Sequence, residues 1–249
     1  MKRILLMAVG LAFLFSVSSA FAQVVTPMYF NGGYQGNNWY NGPEGGVGTG
    51  FYDGSINNVN VGPGQATAGM ICDDYYDNIT AGEHWTATGY QASSLNASNI
   101  GNMLFGTANW GAVVGGWTGV QGYQALAYLA NDMFTNAIGN SSMQSSISQA
   151  LWYLTSLAIG RGFSINCLDA QAQSLVAYVE NLANDPALST YANLFIYTQP
   201  FNPNGPQEMW GEVAVPEGGA ALMYLLLAGI TCFGAMFYSR RQRGIGDLA

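Results

Sequence analysis

Apolar residues in the middle of the chain recur at intervals of three and four, which is the spacing of one face of an α-helix. Three segments show this spacing, and polar residues 139–142 separate the first two. The three sets are Val120, Tyr123, Ala127, Ala130 and Phe134; Ile147, Ala150, Leu151, Leu154 and Ala158; and Ala172, Leu175, Val176, Val179 and Leu182. The pattern predicts three helices, the third over about 168–184 and ended by Asp185-Pro186.

Segments on both sides of the helices contain the β-branched and aromatic residues that are typical of strands. Residues 66–77 and 83–95 predict two strands before the helices, and 194–198 and 208–213 predict two after them. From 31 to 64 the chain is rich in Gly and Asn with scattered aromatics, which predicts loops between short strands. This order predicts an α+β fold, in which a β-sandwich or barrel carries a three-helix insert.

The first 22 residues have the pattern of a secretory signal peptide. Lys2 and Arg3 precede an apolar stretch over 4–17, which is too short for a good membrane-spanning helix. Small residues at Ala20 and Ala22 then match the positions that signal peptidase requires. We therefore predict a signal helix in residues 1–22, cleavage after Ala22, and one extracytoplasmic domain over 23–214.

The other end of the chain has the pattern of a membrane-spanning tail. A short motif, Val215-Pro216-Glu217-Gly218-Gly219, is followed by an uncharged and leucine-rich run over 220–239. About 20 helical residues at 1.5 Å each span a hydrocarbon core of roughly 30 Å. The basic residues after this run favour retention on the cytoplasmic side, so that 244–249 form a cytoplasmic tail. These membrane-stop residues are Arg240, Arg241 and Arg243.

This tail resembles the PEP-CTERM sorting signal of Gram-negative bacteria, which exosortases read. The family usually carries Pro-Glu-Pro, whereas Gly218 stands at the third position here. The resemblance implies an inner-membrane intermediate, processing at residues 215–219 by an exosortase-like protease, and a destination at the cell surface or in an exopolysaccharide or biofilm matrix. An ordinary C-terminal membrane anchor is the alternative.

The charge of the domain between these ends excludes one class of partner. Twelve of the fourteen carboxylates lie in 23–214 against one basic residue, Arg161, which leaves a net charge of about −11. Such a surface repels nucleic acid and anionic lipid headgroups. Most of the remaining polarity comes from Asn, Gln, Ser, Thr, Tyr and Gly, a composition typical of secreted proteins that contact polysaccharide or matrix. Exopolysaccharide is therefore a candidate partner.

Two short tracts resemble the thioester domains of bacterial surface adhesins. They are Ile71-Cys72-Asp73-Asp74 and Ile147-Ser148-Gln149-Ala150-Leu151-Trp152. The resemblance implies a thioester between Cys72 and Gln149 that would acylate a host amine. When Leu151 and Trp152 are placed on the last two motif residues, however, Ser148 takes the position of the reactive Gln. A slip of one residue turns a helical side chain by about 100°, which counts against the bond.

The cysteines allow a simpler interpretation. Cys72 and Cys167 lie in a domain that is predicted to reach an oxidising compartment. A disulfide between them would close a loop of about 95 residues and contribute roughly 4 kcal/mol in the chain-entropy model. Two unpaired buried thiols are the alternative, and the sequence leaves both open.

No set of residues in the sequence predicts catalysis, a metal or a cofactor. His84 is the only histidine, and no second histidine or matched nucleophile accompanies it. The densest acidic cluster lacks the spacing of a calcium-binding loop, which predicts a solvated acidic turn. Its members are Asp73, Asp74, Asp77 and Glu83. We therefore expect a protein that is not an enzyme.

The tryptophans leave one further alternative. Packing in the core and a sugar-stacking face are both compatible with their spacing. These residues are Trp39, Trp85, Trp110 and Trp117. The sequence thus supports two functions: a non-catalytic surface or matrix protein, and a surface adhesin with a thioester-like or carbohydrate-binding domain.

Overall fold

The computed structural model describes residues 24–35, 39–43, 45–76, 79–182, 190–191, 193–199, 207–212 and 231. The chain divides into two units, Met1–Val215 and Pro216–Ala249, and Thr231 is the described residue of the second. Seven predictions from the sequence lie outside the described residues. They are the signal peptide with Ala20 and Ala22, the motif 215–219, the span 220–239 apart from Thr231, the basic residues Arg240, Arg241 and Arg243, the cytoplasmic tail 244–249, the helix end at Asp185-Pro186, and Asp77 of the acidic cluster. Within the described ranges, no helix has both the length and the apolar character needed to span a bilayer.

The fold is mixed α+β, as predicted, with nine strands and three α-helices in the described part of the chain. The strands are β1 (Val24–Tyr34), β2 (Trp39–Gly42), β3 (Gly45–Gly48), β4 (Tyr52–Ile56), β5 (Val59–Val61), β6 (Ile71–Cys72), β7 (His84–Gln91), β8 (Phe195–Thr198) and β9 (Met209–Gly211). The helices are α1 (Gly119–Asn136), α2 (Ser141–Ala158) and α3 (Ala170–Asn181). All three helices lie between β7 and β8 in the chain, where the periodicity predicted them.

Seven strands form one antiparallel sheet in the order β5-β4-β1-β7-β8-β9-β6, while β2 and β3 form a separate hairpin. The sheet curls. Met70, the residue before β6, exchanges two backbone hydrogen bonds with Tyr52 of β4, at 2.8 and 2.9 Å. The last strand of the sheet therefore meets the second strand, and the sheet encloses a core of its own.

Strands β6, β8 and β9 are buried on both faces. Successive side chains of a strand point to opposite sides, so alternate residues of these strands enter different cores. One face packs against the helices and the other packs inside the curl. The helix-facing residues are Ile71, Ile196 and Trp210. Their chain neighbours Cys72, Tyr197 and Met209 belong to the inner core. These three strands thus separate two hydrophobic cores, which explains their continuous apolar sequences.

Local capping explains where the helices begin. Gln121 Oε1 accepts a hydrogen bond from the Thr118 amide, and Asn140 Oδ1 accepts one from the Met143 amide at 3.1 Å. Asp169 caps α3 through the Ala172 amide at 2.7 Å. This cap starts α3 at Ala170, two residues after the predicted start.

The strand predicted over 66–77 is wrong in its extent. Only Ile71 and Cys72 form a strand, paired with Trp210 and Met209 of β9, while Met70 makes an isolated bridge to Tyr52. β9 is itself only three residues long, so β6 has few partners. After Cys72 the chain leaves the sheet and approaches α2. Likewise, the strand predicted over 83–95 ends at Gln91, where a 3₁₀ turn over Ala92–Ser94 begins.

Candidate functional site

The segment that follows β6 is fixed by helix α2. Trp152 Nε1 donates to the carbonyl oxygen of Cys72 at 3.1 Å, and Thr155 Oγ1 donates to that of Asp73 at 2.7 Å. Both side chains are fully buried. Because backbone carbonyls of a departing strand lose their ladder partners, these two bonds replace them. They also determine the direction in which residues 73–76 leave the sheet.

This segment leads to an open cleft of about 550 Å³. The cleft is lined by the β2–β3 hairpin (Gly45, Gly46, Val47), by Tyr75 and Tyr76, and by the loop Gly160, Arg161 and Gly162. Tyr75 Oη donates to the Gly45 carbonyl oxygen at 2.9 Å, which attaches the hairpin to the segment after β6. Three separate parts of the chain therefore meet at this cleft.

Packed aromatic rings support the cleft from below. The Tyr75 ring lies 5.7 Å from those of Trp152 and Phe163, and 6.0 Å from that of Tyr40, measured between centroids. Tyr40 and Trp152 are also in ring contact, at 6.1 Å. Such tilted and edge-on pairs add to the stability that burial provides. The floor of the cleft is thus built from buried side chains.

Among the described residues that line the cleft, Arg161 is the charged one. Its guanidinium carbon lies 5.2 Å from the centroid of the Tyr76 ring, within the range of a cation–π interaction. The Tyr76 hydroxyl in turn donates to the backbone carbonyl of Arg161. The side chain is exposed. In the whole sequence, Arg161 is the only basic residue between Arg3 and Arg240.

The backbone around Arg161 is held by the C-terminal end of α2. Gly160 adopts the left-handed conformation (φ 75°), and its amide donates to Leu157 O at 3.0 Å. The Arg161 amide donates to Ser156 O at 2.9 Å. This pair of bonds is the Schellman motif, which favours glycine at the left-handed position. A helix stop therefore sets where the arginine lies.

A second polar group lies in the core beside the cleft. The side chains of Asp73 and Glu208 are fully buried. Trp210 Nε1 donates to Asp73 Oδ2 at 2.7 Å, and Glu208 accepts from the Tyr123 hydroxyl at 2.5 Å and from the Leu104 amide at 3.0 Å. The sequence did not single out Glu208, Tyr123 or Trp210, because their partners lie far away in the chain.

The two carboxyl groups form a pair that favours the neutral state. Burial, and then the neighbouring Glu208, raise the pKa of Asp73 well above its usual value. Burial also raises the pKa of Glu208, against the lowering effect of its hydrogen bonds from Tyr123 and Leu104. Among the described residues, none donates to Asp73 Oδ1. We therefore assign a proton to Asp73, on Oδ1, which accepts no hydrogen bond from the described residues.

The predicted solvated acidic turn is consequently wrong for two of its members. Asp73 is fully buried and Asp74 is 4 % exposed. Glu83 does lie at a turn, where its carboxylate accepts from the Thr80 amide at 2.8 Å. The structure describes no group of three or more His, Cys, Asp or Glu side chains arranged for a metal ion within its ranges. His84 is exposed and its ring stacks on that of Tyr29 at 4.4 Å.

The structure gives Cys72 and Gln149 different partners. The Gln149 amide group donates to Asp169 Oδ2 at 2.9 Å and accepts from the Asp169 amide at 2.9 Å, so it helps to anchor the start of α3. Cys72 Sγ instead contacts the backbone of Asp74. The helix residue that contacts Cys72 is Trp152. Ser148, at the motif position of the reactive Gln, accepts from the Gly50 amide at 3.0 Å.

Cys72 and Cys167 are free thiols in the structure, the first buried and the second exposed. Trp152 contacts the Cys72 carbonyl, whereas the Tyr40 hydroxyl donates to the Cys167 carbonyl at 3.4 Å. The Tyr40 and Trp152 rings, which are in contact, therefore link the two backbone sites. Burial, and then Asp74 and Asp73, raise the pKa of the Cys72 thiol well above its usual value.

These environments predict opposite thiol reactivity. In the native protein at neutral pH, iodoacetamide should modify Cys167 and leave Cys72 unmodified, because the thiolate is the reactive form and Cys72 is both buried and protonated. Peptide mapping by mass spectrometry measures each site. In denaturant both cysteines should react. If Cys167 resists labelling until a reductant is added, the two cysteines form the disulfide after all.

Four of the six tryptophans were candidates for a sugar-stacking face, and they divide between core and surface. Trp85, Trp110 and Trp117 are buried, at 8 % exposure or less, and pack in the hydrophobic cores. Trp39 is 55 % exposed on β2 and lies beside Tyr34, with ring centroids 6.1 Å apart. Core packing therefore accounts for three of them, and Trp39 is available at the surface.

The aromatic cleft was also missed by the sequence reasoning. Two signals for it were present: a solitary arginine flanked by Gly160 and Gly162 directly after a helical segment, and consecutive tyrosines at 75 and 76. Comparisons with protein-family models, with curated proteins and with solved structures found no match to this chain. The inference about function therefore depends on the residues and on their geometry.

Proposed function

We propose that this chain is an exported, non-catalytic protein of the cell surface or the exopolysaccharide matrix, sorted through its C-terminal tail. The observation that carries the proposal is the order of segments: a leader over 1–22, a domain with one basic residue, the motif 215–219, an uncharged run over 220–239 and then three arginines. An exosortase-like protease and signal peptidase are the implied processing partners.

The interior of the domain supports a non-catalytic role. Asp73 and Glu208, two acidic groups whose pKa burial raises, are fully buried, and the Cys72 thiol is 1 % exposed. A general acid, base or nucleophile must reach its substrate within hydrogen-bonding distance. These three groups instead bond to the surrounding backbone and core side chains, so they fit a structural role.

We further infer that the curled sheet is a small barrel and that α1–α3 are its insert. The hydrogen bonds between Tyr52 and Met70 support closure of the barrel. They join the residue before β6, at one end of the strand order, to β4, which lies next to β5 at the other end. The signal helix and the C-terminal transmembrane helix complete the proposed architecture.

A second candidate function is that of a surface adhesin. The cleft at Tyr76 and Arg161 favours the carbohydrate-binding version, since a half-buried aromatic ring and an exposed arginine lie together there. The covalent version has less support, because Gln149 is bonded to Asp169 rather than to Cys72.

Intact mass spectrometry of the protein recovered from its native cell envelope tests the sorting proposal. We expect a chain that begins at Gln23 and ends between Val215 and Gly219. A matched variant with Pro216→Ala and Glu217→Ala should keep the tail, because the motif that the protease reads is lost. A wild-type mass that retains the residues from Arg243 to Ala249 would contradict processing and identify a plain membrane anchor.

A further inference from the structure

We propose that the cleft around Arg161 binds a saccharide unit that carries a carboxylate, such as a hexuronate within a polysaccharide. The inference rests on the proposed function, since a protein of the cell surface or matrix is in contact with such polymers. It adds a defined site, the class of ligand and the residue that selects the ligand by charge.

The arginine supplies the specificity for an acidic group. A guanidinium presents a planar fork of N–H donors that matches a carboxylate, and such bidentate pairs are stronger than neutral hydrogen bonds. The Schellman bonds from Gly160 and Arg161 hold its backbone, and the Tyr76 ring lies against its guanidinium. The side chain is thus partly preorganised while its donors stay exposed.

The remaining surface of the cleft suits a sugar ring. Tyr76 is half-buried and offers an aromatic edge and face, on which the C–H groups of a pyranose can pack. The other lining residues include four exposed glycines, whose lack of side chains leaves room for the ring of a ligand. They are Gly45, Gly46, Gly160 and Gly162. The volume of about 550 Å³ lies within the range of small-molecule sites.

The surrounding charge makes the arginine decisive. The domain has a net charge of about −11, so an anionic polymer is repelled everywhere except where a cation faces it. At physiological salt this repulsion is screened beyond about 8 Å, whereas a direct contact with Arg161 is not. Asp74, which precedes Tyr75 in the chain, is buried and accepts from the Tyr76 amide at 2.9 Å. It therefore helps to hold the cleft together.

Binding of a short oligogalacturonate and of its methyl-esterified form tests the proposal, because the two probes differ in charge and share a backbone. The protein is purified full-length in mild detergent, and affinity is measured by isothermal titration calorimetry at about 0.15 M salt. We expect the acid to bind at least about tenfold more tightly than the ester, as a charge-assisted pair predicts.

Variants at the arginine sharpen the test. Arg161→Gln should weaken binding of the acid about 10- to 100-fold and remove the preference over the ester, because the charged hydrogen bonds are lost. Arg161→Lys should retain part of the preference, since it keeps the charge without the fork. Thr86→Ala, at an exposed position of β7 outside the cleft, is the matched control and should bind like the wild type. Circular dichroism checks that each variant is folded.

Equal binding of acid and ester would overturn the selection by charge, and unchanged binding by Arg161→Gln would place the site elsewhere. An absence of binding to both probes would overturn the saccharide site. None of these results affects the mass of the processed chain, so a failure here and a failure of the sorting proposal remain distinguishable.

Discussion

Replacing Trp152 with alanine should lower the free energy of unfolding by about 3–5 kcal/mol, the range for a large aromatic side chain removed from a core. The indole is fully buried in contact with the rings of Tyr40 and Tyr75, and its N–H satisfies the Cys72 carbonyl. The substitution therefore leaves a cavity and also an unpaired buried acceptor. Urea denaturation followed by fluorescence measures the loss.

Two further variants separate these contributions. Trp152→Phe keeps most of the ring and removes the hydrogen bond, so we expect a loss of about 1–3 kcal/mol. Trp39→Ala removes an indole that is 55 % exposed, and its cost should remain below about 1 kcal/mol. If Trp152→Ala cost no more than Trp39→Ala, α2 would not be the element that fixes the segment after β6.

Stability should fall as pH rises from about 4 towards neutrality, because burial raises the pKa of Asp73 and of Glu208, and Asp73 holds its proton in the folded state. Their pKa values are raised by burial, whereas in the unfolded chain these groups ionise near 3.8 and 4.5. Above these values the unfolded state has lost protons that the folded state retains, and ionisation therefore favours unfolding. This loss of stability is absent while the pH lies below the pKa of the unfolded state. It grows with pH until the pH exceeds the pKa of the folded state.

The expected slope is about 1.4 kcal/mol per pH unit for each carboxyl that stays protonated. Asp73→Asn should reduce the slope, since an amide preserves an acceptor for Trp210 and a donor for Glu208 without titrating. Thr86→Ala, at an exposed position of β7, removes no titratable group and should leave the slope unchanged. A residual slope is expected from three other carboxyls whose pKa burial raises: Asp53, Glu180 and Glu212.

Denaturant midpoints measured from pH 4 to 8 provide the comparison. A wild-type protein whose stability rises with pH over this range would show that Asp73 is ionised in the fold. In that case the proton assigned to its Oδ1 would be wrong.

The helices could be predicted from the sequence because their information is local. A repeat of apolar residues marks the buried face, and polar residues such as Asn140 and Asp169 mark the starts. The short strand β6 could not be predicted with its correct length, because its extent depends on β9, more than a hundred residues away. β-Pairing at such a distance leaves no periodic signal in either segment.

The polar interior escaped sequence reasoning for a related reason. Aspartate and glutamate are almost never fully buried unless they are paired, so a run such as Asp73-Asp74 predicts a surface turn. Its burial depends on Trp210, Glu208 and Tyr123, which only the tertiary structure brings together. The position of Arg161 over Tyr76 likewise requires two segments that are 85 residues apart in the chain.

The position of β9 has a mechanical consequence. Any tether attached beyond Glu212 pulls first on this strand when the cell or the matrix is sheared. β9 is hydrogen-bonded to β8 on one side and to β6 on the other, and Trp210 and Met209 lie in different cores. Extracting it must break two ladders and open both cores at once, so the sheet and both cores together oppose a pull on this strand.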